Sequence, residues 1–398
     1  MKFITTLGVV LVAAFGFMAS SEAAPAGAIP GVTEVPRLRP SPDVSLRLEI
    51  ERAVDRGLEF LTASQNSNGW WSTPDHPAIT ALAVSSFLGH PTGRHRTNAP
   101  PAVTRGLAFI RSCVKPDGSI QGAGLANYNT AICMMALLAA RDPAYDEVLR
   151  RGRAFLARSQ VDLGETNRLD SPYDGGVGYG NRYEHSDVNN TMTALEALYY
   201  TRHLAQDRPA GAENLNWEAV IQFLQNCQNL PGRNPAEWVS EDPRDRGGFV
   251  YYPGHSMAGG VTNPATGRVA LRSYGSATYA GLLSFIYASL KPSDPPVIAA
   301  LEWLRANFTL DENPGMGRQG YYYYLHLMAK GLDIAGTDQL ALKDGTRVDW
   351  RRQAALKVIN LQQRDGSWVN TEARWWENDP NLVTTYMVLS LERLHAGL

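Results

Sequence analysis

The chain has few cysteines and no excess of charge of either sign. Its 398 residues include 3 cysteines, and 37 Lys and Arg nearly balance 39 Asp and Glu, for a net charge of −2. An odd number of cysteines without Cys-x-x-Cys spacing argues against a disulfide framework and against a zinc site. A nearly neutral chain without a basic stripe is unlike proteins that bind nucleic acid through charge. We therefore expect no metal, no cofactor and no nucleic-acid partner, and three buried thiols at Cys113, Cys133 and Cys227.

Long apolar runs are also scarce, and the one near the start is typical of a secretory leader. Residues 1–23 combine Lys2, a short apolar core and small residues at the end, which predicts a cleavable signal peptide. A retained N-terminal anchor is the alternative. Residues 24–46 are rich in proline and predict an extended linker. We predict a secreted or periplasmic protein whose mature chain has no transmembrane segment and whose single domain spans 47–398.

A helix–loop–helix unit is the most regular feature of the sequence. In its first copy, Val54, Leu58 and Leu61 lie on one face of an amphipathic helix that starts near Ala53. The second helix, 79–88, has no charged residue, which is typical of a helix buried on all sides. Similar pairs recur along the chain. Outer helices are predicted to begin near Ala53, Ala102, Val148, Asn216, Pro296 and Arg351, and inner helices near Ala78, Asn127, Asp187, Tyr274, Tyr321 and Asn381.

Six such hairpins bury their apolar helices best by closing into a ring. The predicted fold class is therefore all-α, an (α/α)6 toroid with an inner and an outer barrel. Two loops from outer to inner helix are long, 161–186 in repeat 3 and 229–272 in repeat 4. We expect a small β-hairpin in the second, with strands at 249–252 and 268–271. Insertions on one face of a repeat array are typical of a binding face, although a lid without chemistry is the alternative.

The run Gln65-x-x-x-Gly69-x-Trp71 resembles the Gln-Trp repeat of the squalene–hopene cyclases and their prenyltransferase relatives. The same pattern returns at Gln362, Gly366 and Trp368. Weaker copies lie at 115–119, at Gln160 and at Gln228. The resemblance covers the whole repeat region and implies an α/α toroid. It does not by itself imply a reaction, because function lies in sites.

The stretch 186–191 resembles the Asp-x-Asp-Asp-Thr motif of the class II triterpene cyclases, in which the middle Asp protonates a carbon–carbon double bond. Here that position is Asn189, followed by Asn190, and a carboxamide is not an acid. The cyclase activity is therefore not carried over. Asp187 remains, either as an N-cap of an inner helix or as a catalytic carboxylate. Asn129–Thr130 and Thr384–Thr385 hold similar places, which favours a capping role.

The prenyltransferase branch of the resemblance implies a zinc site with Asp, Cys and His ligands on late inner helices. The corresponding stretches here, 272–275 and 381–384, contain neither Cys nor His, so that activity is not carried over either.

Three hypotheses follow. The missing acid and the missing zinc ligands favour a non-catalytic toroid that binds an apolar isoprenoid or lipid ligand, or a protein partner, at its central cavity. A secreted lyase or hydrolase acting on a polysaccharide is the second, and a divergent cyclase with a relocated acid is the third. The catalytic candidates are Asp187, Glu184 and Asp174. The candidate cavity or rim residues are His185, Asn189, Asn190, Tyr251, His255, Arg272, Tyr274, Tyr322, Trp375 and Trp376.

Overall fold

The computed structural model describes residues 43–181, 185–205 and 215–398. The predicted signal peptide, nearly all of the predicted linker and Glu184 lie outside these residues. The described residues form thirteen α-helices and two short antiparallel strand pairs. The outer helices are α1 (Val44–Ser64), α4 (Pro101–Ser112), α6 (Asp146–Arg158), α8 (Trp217–Asn226), α10 (Pro295–Ala306) and α12 (Trp350–Asn360). The inner helices are α2 (Pro77–Leu88), α5 (Ala126–Ala139), α7 (Val188–Tyr200), α9 (Gly275–Tyr287), α11 (Tyr321–Ile334) and α13 (Pro380–Ala396).

The inner helices close a ring. Each contacts the next in the order α2, α5, α7, α9, α11 and α13, and α13 packs against α2. The outer helices lie against this ring, with α1 on α13 and α12, and α4 on α2. Burial follows the sequence pattern, because α2 is buried at every position except Ser85, whereas α4 buries one face. The predicted (α/α)6 toroid is therefore confirmed.

Five outer helices begin within two residues of the predicted positions, but the first begins about nine residues earlier, at Val44 rather than near Ala53. The buried side chains of Leu46 and Ile50 extend the helical pattern towards the N-terminus. Residues 44–46 of the predicted linker are therefore helical, as are residues 47–52 before the predicted start. A four-residue helix, α3 (Arg94–Thr97), follows α2 and was not predicted.

The hairpin in the repeat-4 loop exists, but one of its predicted strands is wrong. β1 (Gly260–Thr262) pairs with β2 (Val269–Leu271). The stretch predicted as the first strand, 249–252, instead enters the core at Phe249, which is fully buried and bridges to Gln228. Apolar character there reflects burial and not sheet pairing. A second, unpredicted strand pair, β3 (Leu340–Ala341) and β4 (Arg347–Val348), lies between α11 and α12.

A glutamine in each of four repeats joins that repeat to the next outer helix. Its side-chain amide donates hydrogen bonds of 2.8 to 3.0 Å to a glycine oxygen of its own loop and to a backbone oxygen of the next outer helix or its N-cap. The donors are Gln65, Gln160, Gln228 and Gln362, and the helix acceptors are Ala102, Asn216, Pro296 and Ala53, in that order. The motif that carries the family resemblance is thus the joint between repeats.

A threonine on each of five inner helices holds the preceding loop. Its Oγ1 accepts a hydrogen bond from the backbone N–H of a buried loop residue. The pairs are Trp71 with Thr80, Ile120 with Thr130, Val177 with Thr191, Phe249 with Thr278, and Trp368 with Thr384. Of the stretches expected to share a capping role, Thr130 and Thr384 turn their hydroxyls to the loop, whereas Asn129 Oδ1 accepts from the N–H of Ala78 in the first turn of α2 at 3.1 Å. The N-cap of α13 is Asp379, which accepts from the N–H of Asn381 at 2.9 Å.

All three cysteines are buried free thiols. Cys113 and Cys227 are the C-cap residues of α4 and α8, and Cys133 lies inside α5. Burial raises the pKa of each thiol, so these groups are neutral and unreactive. They fill small buried positions of the repeat, as the sequence predicted.

Candidate functional site

The N-terminal end of inner helix α7 carries a fully buried carboxyl group, Asp187. Its Oδ1 accepts hydrogen bonds from the backbone N–H groups of Asn189 (3.0 Å) and Asn190 (2.9 Å), and its Oδ2 accepts one from Asn190 Nδ2 (2.6 Å). This is the geometry of an N-cap. Burial raises the pKa of Asp187 to about 6, although the hydrogen bonds and His185 favour the ionised form. A carboxyl with a raised pKa is a weak acid and is poorly suited to protonating an alkene.

Tyrosine side chains surround Asp187. Burial, and then the charge of Asp187, raise the pKa of Tyr179, Tyr251 and Tyr274. Tyr251 and Asn190 lie close enough to the hydroxyl of Tyr179 to affect its pKa. Two of the candidate residues from the sequence, Tyr251 and Tyr274, therefore lie beside the candidate carboxylate. All these phenols are neutral, so they offer hydrogen bonds and not charge.

Two carboxamide oxygens next to this carboxyl group are unsatisfied. Among the described residues, the Oδ1 atoms of Asn189 and Asn190 are buried and have no hydrogen-bond partner. His76 Nδ1, at the start of α2, is in the same condition. Buried polar atoms without partners are rare in native structures. The end of the ring at which the inner helices begin therefore holds polar atoms that lack hydrogen-bond partners. The position that carries the acid in the cyclase motif holds Asn189 instead.

The rim above this end is aromatic. His185 and Tyr252 have ring centroids 4.4 Å apart, and Tyr252 stacks on His255 at 4.8 Å with an interplanar angle of 20°. Burial lowers the pKa of His255, so its ring is neutral at pH 7. These residues form one aromatic cluster on the loops of repeats 3 and 4.

Two other predicted site residues have structural partners. Asp174 is buried, and its oxygens accept hydrogen bonds from the backbone N–H groups of Leu163 (2.7 Å) and Ser171 (2.8 Å). Arg272 lies 3.8 Å from Asp245 and 4.0 Å from Asp242. Asp174 therefore holds the repeat-3 loop, and Arg272 holds the repeat-4 loop.

Trp375 and Trp376 stand on the same rim in unusual backbone conformations. Their φ angles are 57° and 66°, and 42% and 48% of their surfaces are exposed. The guanidinium of Arg374 lies 4.3 Å from the centroid of the Trp375 ring, and Trp376 meets the His76 ring edge-on at 5.4 Å. The next residue, Glu377, is buried and accepts a hydrogen bond from the N–H of Tyr323 at 2.7 Å. Non-glycine residues held in the left-handed region are typical of functional loops.

A cavity of about 400 Å³ lies inside the inner barrel. Five inner helices line it, at spacings of three or four residues along each helix. At the end nearest Asp187, the rings of Tyr128, Tyr323 and Tyr386 form its floor, with the centroids of Tyr323 and Tyr386 5.7 Å apart. The walls are mainly apolar, with Leu82, Leu88, Ile132, Met135, Ala139, Met192, Leu327, Leu389 and Ala396. Of the tyrosines that begin α11, Tyr323 lines the cavity, whereas Tyr322 packs edge-on against Tyr321.

Charged groups gather at the opposite end of the cavity, near the C-termini of the inner helices. Lys330 Nζ lies 2.9 Å from both carboxylate oxygens of Glu196, and Arg393 donates to Asp333 at 2.8 Å. Arg96 is exposed, and Asp333 and Arg393 are partly exposed, so the cavity reaches solvent here. We call this end the mouth.

Glu392 is the most unusual group at the mouth. The residue is 8% exposed, its Oε1 has no hydrogen-bond partner in the described part of the chain, and it lines the cavity. Burial raises the pKa of Glu392 well above its ordinary value, against the opposing effect of Arg96 and Arg393. The carboxyl group therefore holds a proton more readily than an exposed glutamate does. Its space depends on Gly89, because a methyl group there would lie 2.1 Å from Glu392 Oε2.

His326 completes the polar lining between floor and mouth. Its ring stacks on Tyr386 at 5.3 Å, and its Nδ1 lies 3.4 Å from Ser390 Oγ. Burial, helped by the charges of Lys330 and Arg393, lowers the pKa of His326 well below its ordinary value. The imidazole is neutral and available for hydrogen bonding.

The predicted site residues that the structure describes thus lie at the end of the ring that holds Asp187 and the aromatic rim, whereas the charged lining of the cavity was missed. The missed residues are Glu196, His326, Lys330, Glu392 and Arg393. A signal was present, because a charged side chain on an otherwise apolar inner helix needs a buried partner or a cavity. Among the residues that the structure describes, no group of three His, Cys, Asp or Glu side chains could hold a metal ion.

We find no family model and no curated protein that matches the sequence. Solved structures do resemble the fold. The type II terpene cyclase MstE from Scytonema aligns with a TM-score of 0.53 at 14% identity, covering 88% of this chain and 99% of the cyclase. A variant of that cyclase, in complex with geranylgeranyl dihydroxybenzoate, its substrate, aligns with a TM-score of 0.54 at 13% identity and covers 89% and 99%.

The α-1,6-mannanase from Salegentibacter aligns equally well, with a TM-score of 0.55 at 13% identity, covering 87% of this chain and 99% of the mannanase. Both neighbours are α/α toroids, so these likenesses establish the architecture and not the reaction. No helix within 43–181, 185–205 or 215–398 is long and apolar enough to cross a membrane.

Proposed function

We propose that the protein is an exported, non-catalytic member of the squalene cyclase-like repeat proteins, and that it binds an apolar isoprenoid or lipid molecule inside the ring. The observation that carries this proposal is the cavity of about 400 Å³, with its apolar walls, aromatic floor and charged mouth. Pockets of this size and lining are typical sites for small amphipathic ligands. The Gln-Trp joints and the cyclase neighbour, which was solved with a geranylgeranyl-bearing substrate, support the relationship.

Binding without polyene cyclisation fits the acids in and near the cavity. Alkene protonation requires a strong carboxylic acid, whereas burial raises the pKa of both Asp187 and Glu392. The position that donates the proton in the cyclase motif is Asn189. If the purified protein cyclised a linear polyene, the non-catalytic part of the proposal would be wrong.

The first test is solvent extraction and mass spectrometry of mature protein isolated from its own export compartment. A stoichiometric isoprenoid or lipid is expected, and the mass of the mature chain also tests cleavage of residues 1–23. The matched variants are Ile132→Trp, which fills the cavity, and Ile298→Trp on the outer surface of α10, where Ile298 is 41% exposed. Loss of the molecule from the first variant alone supports the proposal. Equal occupancy in both would place the ligand elsewhere.

A second candidate function, polysaccharide binding, is favoured by the exposed Trp375 and Trp376 on the rim. Flat indole faces stack on sugar rings, and Trp rings bring a polar N–H as well. Retardation by α-1,6-mannan in affinity electrophoresis would support it, if Trp375→Ala abolished the effect and Trp217→Ala on α8 did not. Trp217 is a suitable control because it is 37% exposed and lies on an outer helix. Equal migration with and without a panel of polysaccharides would refute it.

A further inference from the structure

We infer that the ligand of the central cavity carries an anionic head group, such as a carboxylate, and that Glu392 and Arg96 bind this group at the mouth. The inference rests on the proposed function, since it names the chemistry of the molecule that the cavity holds.

The unsatisfied atom is Glu392 Oε1. It is buried, it has no partner among the residues that the structure describes, and its side chain lines the cavity. Leaving such a group without a hydrogen bond is costly. The other carboxyl oxygen, Oε2, is the one that a ligand at the mouth would meet. Burial raises the pKa of the group and so favours the protonated form, which donates an O–H to an anionic oxygen in a charge-assisted bond.

Arg96 differs from the other cations at the mouth. Lys330 is paired with Glu196, and Arg393 and Arg351 share Asp333, at 2.8 and 2.9 Å. Arg96 has no ion-pair partner in the described ranges, and its Nε donates to Leu88 O at 2.7 Å, which fixes it beside Gly89. Among the described side chains that line the cavity, Lys330 and Arg393 are thus held in ion pairs, and Arg96 is the cation that remains for a ligand. An anion is the ligand charge that this arrangement favours.

Gly89 makes room for the carboxyl group. Its φ of −78° is open to any residue, so the requirement for glycine here comes from space and not from backbone conformation. A methyl group would lie 2.1 Å from Glu392 Oε2 and 2.8 Å from Cδ. Gly89→Ala should therefore displace the Glu392 carboxyl while leaving the backbone and the apolar walls in place.

The test uses four probes with the same twelve-carbon chain: dodecanoate, dodecyl phosphate, 1-dodecanol and dodecylamine. Their affinities for the full-length mature protein are measured by isothermal titration calorimetry at pH 7. We expect an anionic probe to bind at least about tenfold more tightly than dodecanol, as is typical of one hydrogen bond to a charged group, and dodecylamine to bind most weakly. The order of dodecanoate and dodecyl phosphate identifies which head group is preferred.

Three variants assign the effect. Glu392→Leu and Gly89→Ala should each weaken the anionic probes about tenfold and leave dodecanol within about twofold, and Arg96→Gln should reduce the same preference. The control is Glu302→Gln, on the exposed face of α10. Thermal unfolding checks whether each variant is folded. If Glu392→Leu does not fold, Gly89→Ala provides the test.

The outcomes are distinct. If dodecanol binds as tightly as the anions, or if the variants weaken all four probes equally, the inference is wrong and the proposed function stands. If none of the four binds to the wild-type protein, the proposed function fails and the inference fails with it.

Discussion

Gln362 Nε2 donates a hydrogen bond to the backbone oxygen of Ala53 at 2.8 Å, and this bond joins the last repeat to the first. The same amide also donates to Gly366 O at 2.9 Å. The equivalent Gln65 makes the same two bonds within the chain, to Gly69 and Ala102. The seam where the ring closes is therefore built like an internal joint. Its hydrogen bonds should contribute about as much to the free energy of unfolding as those of Gln65.

We expect Gln362→Ala to lower the free energy of unfolding by about 1–3 kcal/mol, because the buried carbonyl acceptors lose their donor. Gln65→Ala should cost a similar amount. The control is Gln222→Ala, which removes an exposed side chain on α8 and should change stability by less than about 0.5 kcal/mol. Urea denaturation followed by circular dichroism measures all three. A Gln362→Ala protein as stable as the control would show that the seam does not depend on this bond.

Asp187 makes stability depend on pH. Its pKa is about 6 in the folded protein against an ordinary value of 3.8, so the folded state binds more protons between these values and stability falls as pH rises. The separation corresponds to about 3 kcal/mol. We expect the stability of wild type relative to Asp187→Asn to decrease by this order between pH 4 and pH 7. Urea denaturation at both pH values tests it, and a difference that stays constant, or grows with pH, would contradict the assignment.

The ion pair between Glu196 and Lys330 is nearly buried, with 7% and 12% of the side chains exposed. Lys330→Met should destabilise the protein by about 3–5 kcal/mol, because Glu196 is left as a buried carboxylate without a counter-ion. Adding Glu196→Leu should recover most of that loss. The control is Lys357→Met at the exposed pair with Asp311, where we expect at most about 1 kcal/mol. Chemical denaturation compares them, and a double variant no more stable than Lys330→Met would argue against the pairing.

Glu377 acts as a cap supplied from another repeat. Its carboxylate accepts from the N–H of Tyr323 in the first turn of α11 at 2.7 Å and from Asn370 Nδ2 at 2.6 Å. Glu377→Ala should therefore cost about 1–3 kcal/mol and speed hydrogen exchange at the start of α11 and in segment 370–379. Exposed Glu372 provides the control in Glu372→Ala. Unchanged exchange in α11 would mean that the cap is dispensable.

Helix positions were predictable because apolar spacing directly reflects burial, as in α2 and α4. The first strand of the hairpin was not, because Phe249 is apolar for a different reason: it fills the core below the repeat-4 loop. The Asp187 cluster was found through its position at a helix start. Its pKa and the unsatisfied oxygens of Asn189 and Asn190 depend on three-dimensional packing.

The mouth of the cavity shows the same limit more sharply. Glu196, Lys330 and Glu392 come from three helices far apart in sequence, and no motif indicates that Lys330 meets Glu196 or that all three line one cavity. The long loops of repeats 3 and 4 led to a predicted binding face at the other end of the ring, because insertions can be recognised from sequence. Charged residues on helices that are otherwise apolar were the available signal for the mouth.

Closure of the inner helices has a consequence for how the protein unfolds. An open array of repeats has two end units, each held by one neighbour, and these fray first. Here α13 contacts both α1 and α2, so every repeat has two neighbours. Opening any one hairpin breaks two interfaces at once, and no unit is a weak starting point. The domain should therefore melt in a single concerted transition, and the cavity inside it should be lost in that same step.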